Sequence, residues 1–368
     1  MRIFHLITHF DLGGAERVAA NIAESATDGV ESHVVEIMRG RSAYTPRFMA
    51  ELRGHGVRLH RSWMPDVRWH FALERVAALL FPLRLLYILL RWRPDVLHTH
   101  TETPDLALYV ASLFMPRLMR RVRIVRTIHN TRLWTGLPRT AMRVERFFCA
   151  HGANVAISES VRDAYAKRFG QVPPIIYNGV AQVGQRTYDG LAAGRTNILF
   201  AGRLEPQKGI DTLCRVLQLM ADDTRYHFTI AGDGSQRAMV EDTIAGKATG
   251  RPMANARLVP PIYSLASYMQ SFDYLLMPSE FEGLSMLSME ASMNGLPVIA
   301  NDAPGLRDTL PTDWPLMAHG NSIDDYRHLF GHVLPGTNHA LLADKARAFA
   351  LSHFSIRLMQ QRYEAFYS

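Results

Sequence analysis

Apolar residues return along this chain in two rhythms. Short, nearly continuous apolar runs alternate with stretches in which apolar positions recur every three or four residues. The first rhythm suits strands buried on both faces, and the second suits amphipathic helices. RIFHLIT (2–8) reads as a strand, and DLGGAERVAANIAES as a glycine turn running into a helix. SHVVEIM (32–38), DVLHTH (95–100), RIVRTIH (123–129), ANVAIS (153–158) and PIIYNGV (174–180) read as further strands, with a short one after the helix that begins RFMAEL. Helical stretches separate them: 71–93, LALYVASLF, a stretch through Phe147, and SESVRDAYAKRFG. In the last of these, Ser158 or Ser160 can accept from the free N–H groups of the first turn. Strand and helix alternate throughout, which argues for a parallel sheet covered on both faces.

Periodicity lapses over 181–196, AQVGQRTYDGLAAGRT, which reads as a linker. A second series follows. NILFAGRL (197–204), YHFTIAGDG, ARLVPP, DYLLMPS (273–279) and PVIAN are its strands. DTLCRVLQLMADD, SQRAMVEDTIAGKA, LASYMQS and LSMLSMEASMNG are the helices among them, and FSIRLMQQRYEAFYS is a final amphipathic helix. The pattern predicts an α/β protein of two tandem doubly wound domains, 1–180 and 197–353.

A length of 368 residues and a hydrophobic content of 48% fit two domains with real cores and exclude a disordered chain. Cys149 and Cys214 match no metal spacing and read as reduced thiols of a cytoplasmic protein. The opening MRIFHLITHFDLGG reads as a first strand rather than a signal peptide. Charge is uneven. Residues 1–180 carry 25 Lys and Arg against 15 Asp and Glu, whereas the remainder carries 16 against 19. A basic first half suits phosphate, a membrane surface or nucleic acid, or is simply a solvated surface. No nucleic-acid-binding motif accompanies the charge, so that partner is not expected.

Ligands of open α/β sheets bind beyond the carboxyl ends of the strands. Gly13 and Gly14 follow the first strand, His98 and His100 end the fourth, and His129 and Asn130 end the next. Arg203, then Gly232, Asp233 and Gly234, then Glu280 and Glu282 hold such places in the second series. These groups would converge on a cleft at the domain interface. Arg203 and Lys208 stand five apart, as suits a diphosphate, or are two loop cations on a surface. The DLGGAE loop lets backbone approach a phosphate at a helix start, or is a tight turn needing positive φ. AGDG is a turn, or a place where Gly232 admits a base or ribose. His98 suits a core position, while His100 and His129 suit contact with a sugar hydroxyl or proton transfer. Glu282 lies in a loop before a helix starting near Leu284, and Glu290 about two turns into it. Carboxylates are bidentate acceptors for vicinal hydroxyls. The alternative is one carboxylate favoured by the helix dipole and one in solvent.

The E-x7-E spacing in PSEFEGLSMLSMEASMNGLPVIA resembles the signature of retaining family 4 glycosyltransferases of the GT-B fold. DLGGAE (11–16), ISESV (157–161), YNGV (177–180), AGRLEPQKG (201–209), AGDG (231–234) and a final helix with two tyrosines fit that family in order. The resemblance thus covers essentially the whole chain. It implies two Rossmann-like domains facing a cleft, with 354–368 packed back on the first. It implies a nucleotide-sugar donor on the second domain and a glycan or lipid-linked acceptor on the first. By position, Arg203, Lys208, Gly14 and the backbone of Leu284, Ser285 and Met286 would hold the diphosphate. Glu290 would take the ribose, and Gly232 and Pro260 the base. Glu282 and His129 would be the catalytic residues, and Gly13, Glu16 and His100 would lie on the acceptor side. Neither a metal nor a cofactor is implied, and no Asp-x-Asp motif occurs. Retention would follow front-face attack, with a leaving phosphate oxygen as base. Two departures stand out: Leu284-Ser285 replaces the family's usual Phe-Gly after Glu-Gly, and Asn130 replaces the Asp that commonly follows the strand-end His. A nucleotide-sugar epimerase or a non-catalytic nucleotide-sugar binder on the same fold are the alternatives.

Segment 71–93 is apolar, carries Arg75, Arg84, Arg91 and Arg93, and is interrupted by Pro82. It is not expected to span a membrane. With the arginines of PRLMRRVR (116–123) it is expected to lie on an anionic membrane surface, which suits a peripheral enzyme with a lipid-linked acceptor. The alternative is a helix packed on the sheet with snorkelling arginines.

Overall fold

The computed structural model describes residues 1–11, 13–40, 42–64, 70–134 and 138–368, without the side chains of 70–75. The chain divides into two units, Met1–Gly179 with Ile356–Ser368, and Val180–Ser355. In the first, β1 (Arg2–Ile7), β2 (Glu31–Glu36), β3 (Arg58–His60), β4 (Val96–His100), β5 (Arg123–Ile128) and β6 (Asn154–Ala156) form one sheet in the order β3-β2-β1-β4-β5-β6. In the second, β7 (Thr196–Arg203), β8 (Tyr226–Asp233), β9 (Ala256–Val259), β10 (Tyr274–Met277), β11 (Val298–Asn301) and β12 (Met317–Ala318) lie in the order β12-β11-β10-β7-β8-β9. Every paired strand is parallel. Helices cover both faces, which is why the strands read as unbroken apolar runs. Strand order reverses between β1 and β4 and between β7 and β10, so each unit has a topological switch point there.

Several elements differ from the sequence reading. Residues 174–180 form no strand beyond two isolated parallel bridges, Ile175 to Ala156 and Val180 to Ser355. Pro173 and Pro174 have no N–H to give a ladder. Residues 181–195 contain neither helix nor strand, yet they pack on the second unit and are no free linker. Gln185 Nε2 donates to Asn294 Oδ1 at 3.0 Å, and the Tyr188 ring lies 5.1 Å from that of Phe272. Between β11 and Ser355 the fold adds β12 and the helices Ile323–His328 and His339–Phe354, none of which the periodicity marked. The last segment breaks at Ser355, and its helix Ile356–Tyr367 belongs to the first unit. Tyr367 OH shares a hydrogen bond with His98 Nδ1 (2.8 Å), and Tyr363 OH with Thr127 Oγ1 (2.7 Å). Gly179 allows this helix in, since a Cβ there would fall 2.6 Å from Ile356 Cα.

The helix His70–Trp92 continues through Pro82 without a break. Burial of Ala77, Ala78, Phe81, Leu85, Ile88 and Leu89 offsets the lost hydrogen bond. Arg84 points inward as well, against the expectation of an exposed cation. Its guanidinium donates to the carbonyls of Glu36, His60 and Arg61. Burial lowers its pKa to about 10, so it remains charged at neutral pH.

A second buried arginine locks the sheet of this unit to three helices. Arg126 on β5 donates to Asp105 Oδ2 and to both oxygens of Glu145, at 2.7–2.9 Å. Glu145 also accepts from Trp134 Nε1 and from Tyr165 OH. Burial works against each charge. The two carboxylates nevertheless hold the Arg126 pKa above its usual value, whereas desolvation raises that of Asp105 to about 7.

Candidate functional site

The second unit builds its candidate site at the switch point between β7 and β10. After β7 the chain makes a single turn, Pro206–Lys208, and enters the helix Ile210–Leu219 through Gly209. Gly209 has φ +68°, and a Cβ there would meet the Pro278 carbonyl at 1.9 Å. Only glycine lets the loop after β10 press this close. Gln207 fastens the two loops: its carbonyl accepts from Glu280 N (2.9 Å), and its side chain donates to Phe281 O (3.1 Å). From the other side, Gly305 (φ +73°) would place a Cβ 2.2 Å from Glu282 O. Glu282 N donates to Pro304 O at 2.9 Å.

This clamp aims the Glu282 carboxylate at Lys208, whose Nζ donates to Oε1 at 2.6 Å. Glu282 is 7% exposed, so the ammonium supplies the partner that a buried carboxylate needs. Lys208 retains two further N–H donors. Arg203 is exposed at the end of β7.

The helix Met286–Met293 starts beside this pair. Ser285 caps it, accepting from Ser288 N at 3.3 Å. The Ser285 amide is occupied by Gly305 O at 3.0 Å, so its expected part in phosphate binding is corrected. Leu284 is buried. Met286 and Leu287 are first-turn residues whose amides have no acceptor within the helix. Glu290 lies one turn below Met286, not two turns in as expected, because the helix starts later. Met286, Leu287 and Glu290 are the partly exposed residues of that helix and share one face.

Farther along the sheet, β8 and β9 pair through Ala231 and Val259, so Gly232 and the exposed Pro260 end adjacent strands. Gly232 is buried, and a Cβ there would meet Gly202 O at 2.1 Å. Strand packing against β7 therefore accounts for this glycine without a base.

The first unit carries a row of imidazoles at its own switch point. His129 Nε2 lies 3.2 Å from His100 Nδ1, and His100 Nε2 lies 3.2 Å from His5 Nδ1. His129 is partly exposed, while His5 and His100 have no exposed surface. Burial lowers His5 and His129 to about 3 and His100 well below its usual value, so all three are neutral at physiological pH. His100 thus cannot touch an acceptor directly; it contacts His129. His98 is a satisfied core residue, bonded to Thr127 and Tyr367. His5, His98 and His100 are close enough to suggest a metal centre. Their ring nitrogens, His5 Nε2 apart, are already engaged in hydrogen bonds.

Next to this row, Gly13 is extended (φ −140°) and Gly14 opens the helix Gly14–Glu24. Neither glycine is needed for positive φ. Gly14 is exposed, with open space where a Cβ would sit. The Glu16 carboxylate folds back over Gly13, and desolvation raises its pKa to about 7. Thr101, which the sequence did not single out, sits after β4 at φ +106°, unusual for a β-branched residue. Its hydroxyl shares a 2.8 Å hydrogen bond with that of Thr8. Strain of this kind clusters at functional sites.

Two family models match the chain. Glycosyltransferase Family 4 matches residues 12–181, and Glycosyl transferases group 1 matches residues 195–327. The chain belongs to the group 1, family 4 glycosyltransferases. It is 36% identical over 129 residues to a D-inositol 3-phosphate glycosyltransferase of Jonesia denitrificans, covering 33% of this chain and 30% of that protein. It is 31% identical over 144 residues to an uncharacterized 41.2 kDa protein in the cps region of Klebsiella pneumoniae, covering 37% and 38%. These matches span about a third of the length of either relative. The fold matches the Anabaena Alr3699/HepE structure in complex with UDP and glucose, with a TM-score of 0.79, 18% identity and coverage of 100% and 99%. In this family member, Lys208, Glu282, Glu290 and the start of the 286–293 helix gather at one switch point. Gly14 and His129 lie on the other unit, while Gly232 and Pro260 lie toward the β8–β9 side.

Proposed function

We propose that the protein is a retaining, metal-independent glycosyltransferase that moves a hexosyl-type sugar from a nucleotide-sugar, with a UDP-sugar favoured. The observation that carries this reading is the Lys208–Glu282 pair beside a helix start that has Glu290 on the same face. Transfer leaves a diphosphate, and negative charge grows on its oxygens as the glycosidic bond breaks. Lys208, Arg203 and the amides of Met286 and Leu287 supply positive potential for that charge. Gly14 adds an open backbone approach on the first unit. Glu290 takes the ribose hydroxyls, while Glu282 holds hydroxyls of the transferred sugar. With Nε2 of neutral His129 engaged by His100, its Nδ1 is left for a sugar hydroxyl. The leaving phosphate oxygen serves as base for an acceptor attacking from the same face, which retains the anomeric configuration.

The acceptor is a glycan or lipid-linked glycan on the first unit, in assembly of bacterial surface polysaccharide or lipopolysaccharide. The relative in a cps region supports that setting. The protein acts at the cytoplasmic side of the membrane, with Gly13 and Glu16 toward the acceptor. Calorimetric titration of the purified chain with UDP-, GDP- and ADP-sugars, without divalent cation, tests this reading. Binding of one class followed by transfer is expected. Strict dependence on Mg²⁺ or Mn²⁺, or interconversion of the free nucleotide-sugar with no glycoside formed, overturns it.

A further inference from the structure

We propose that the outer face of the helix His70–Trp92, together with the carboxyl end of the helix Glu102–Phe114, is a docking surface for an anionic lipid bilayer. A helix on a sheet ordinarily turns polar residues to water. This helix does the reverse. Its residues exposed between 76 and 90 are Val76, Leu79, Leu80, Leu83, Tyr87 and Leu90, while its one charged residue in that stretch, Arg84, is buried. At about 100° per residue the six exposed positions fall within an arc of about 100°, and at about 1.5 Å per residue they run for about 21 Å. The helix Glu102–Phe114 packs alongside and ends in Leu113 and Phe114, which are 61% and 73% exposed. Together these side chains expose on the order of several hundred Å² of apolar surface, more than a soluble monomer ordinarily shows in one patch.

Charge names the occupant. Both helices run antiparallel to the strands they connect, so their carboxyl ends meet at the amino ends of β4 and β5. Arg91, Arg93, Arg117, Arg120 and Arg121 are all exposed at that end. Arg91 also stacks on the Trp92 ring, 4.7 Å from its centroid. An apolar stripe bordered by arginines and an indole fits the boundary between acyl chains and anionic headgroups. A second copy of the chain fits less well, because it would bring the same arginines and the same positive charge. No described helix is long and apolar enough to cross a membrane, so the stripe lies along the surface.

Vesicle flotation tests this, comparing neutral phosphatidylcholine with phosphatidylcholine containing phosphatidylglycerol. The unaltered protein should float with the anionic vesicles and separate from them at high salt. The double variant Leu83→Glu/Leu90→Glu should lose at least ~10-fold in partitioning, and Arg117→Glu/Arg120→Glu should lose the anionic preference. All should keep the circular dichroism and nucleotide-sugar affinity of the parent. Equal flotation of the parent and both variants overturns the proposal. So does a dimer in solution that the leucine substitutions dissolve without any vesicle binding. Vesicle binding by a chain that binds no nucleotide-sugar would sink the proposed function and leave the docking surface standing.

Discussion

Replacing Glu282 by Gln should separate phosphate binding from sugar transfer. In the free protein, Glu282 holds the Lys208 ammonium at 2.6 Å, and the residue is 7% exposed. A hydrogen bond to a charged group contributes about 1.5–3 kcal/mol net. Gln keeps the shape of the side chain but removes its charge, so Lys208 is released from part of that interaction. Every 1.4 kcal/mol is about tenfold in affinity. UDP should therefore bind Glu282→Gln roughly 3–10-fold more tightly. Sugar transfer should fall about 100-fold or more, since an acceptor aimed at the reacting sugar is weakened. Lys208→Met should do the opposite to UDP and weaken it by about 10–100-fold. Calorimetry with UDP, kinetics with the matching UDP-sugar, and the double variant complete the cycle, with an expected coupling of about 1–2 kcal/mol. If Glu282→Gln weakens UDP as much as Lys208→Met does, the carboxylate belongs to the phosphate side and the division of roles is wrong.

Two further outcomes follow from the framework around the site. Gly209→Ala should cost about 2–4 kcal/mol in urea unfolding, through positive φ and the clash with Pro278; Gly170→Ala, also at positive φ but in open space, should cost only about 1 kcal/mol. Asp105 has its pKa raised to about 7 in the fold, so its protonated form is favoured there. Its contribution to stability is complete below the ordinary Asp pKa and is lost as pH rises toward 7. Between pH 5 and 8 the parent should therefore lose on the order of 2 kcal/mol relative to Asp105→Asn, read by urea unfolding at each pH.

Much of this architecture was legible because parallel strands sandwiched by helices must be apolar on both faces. Runs such as NILFAGR and RIFHLI announce themselves. The residues of the second unit's site were legible one by one, since strand ends in such sheets carry ligands. Their pairing was not. Lys208 and Glu282 are 74 residues apart, and only the reversal of strand order brings them together. Arg84 misled for a physical reason: a lone charge in an apolar helix does not say which face is inside. The carbonyls of Glu36, His60 and Arg61 that receive it lie on other elements. Arg126 was equally silent, because its partners Asp105 and Glu145 come from two separate helices. Thr101 carries its signal in a backbone angle, which residue type does not report.

The helix Ile356–Tyr367 has a consequence for how the protein is made. It supplies Tyr363 and Tyr367 to the interior of the first unit, yet it is translated only after the residues of Val180–Ser355. At about 5–20 residues per second, that intervening stretch delays its arrival by roughly 10–35 s. Until then β4 and β5 present His98 and Thr127 without their tyrosine partners. The unit synthesised first is thus the one completed last, and its nascent form must wait, incompletely covered, while the other unit folds.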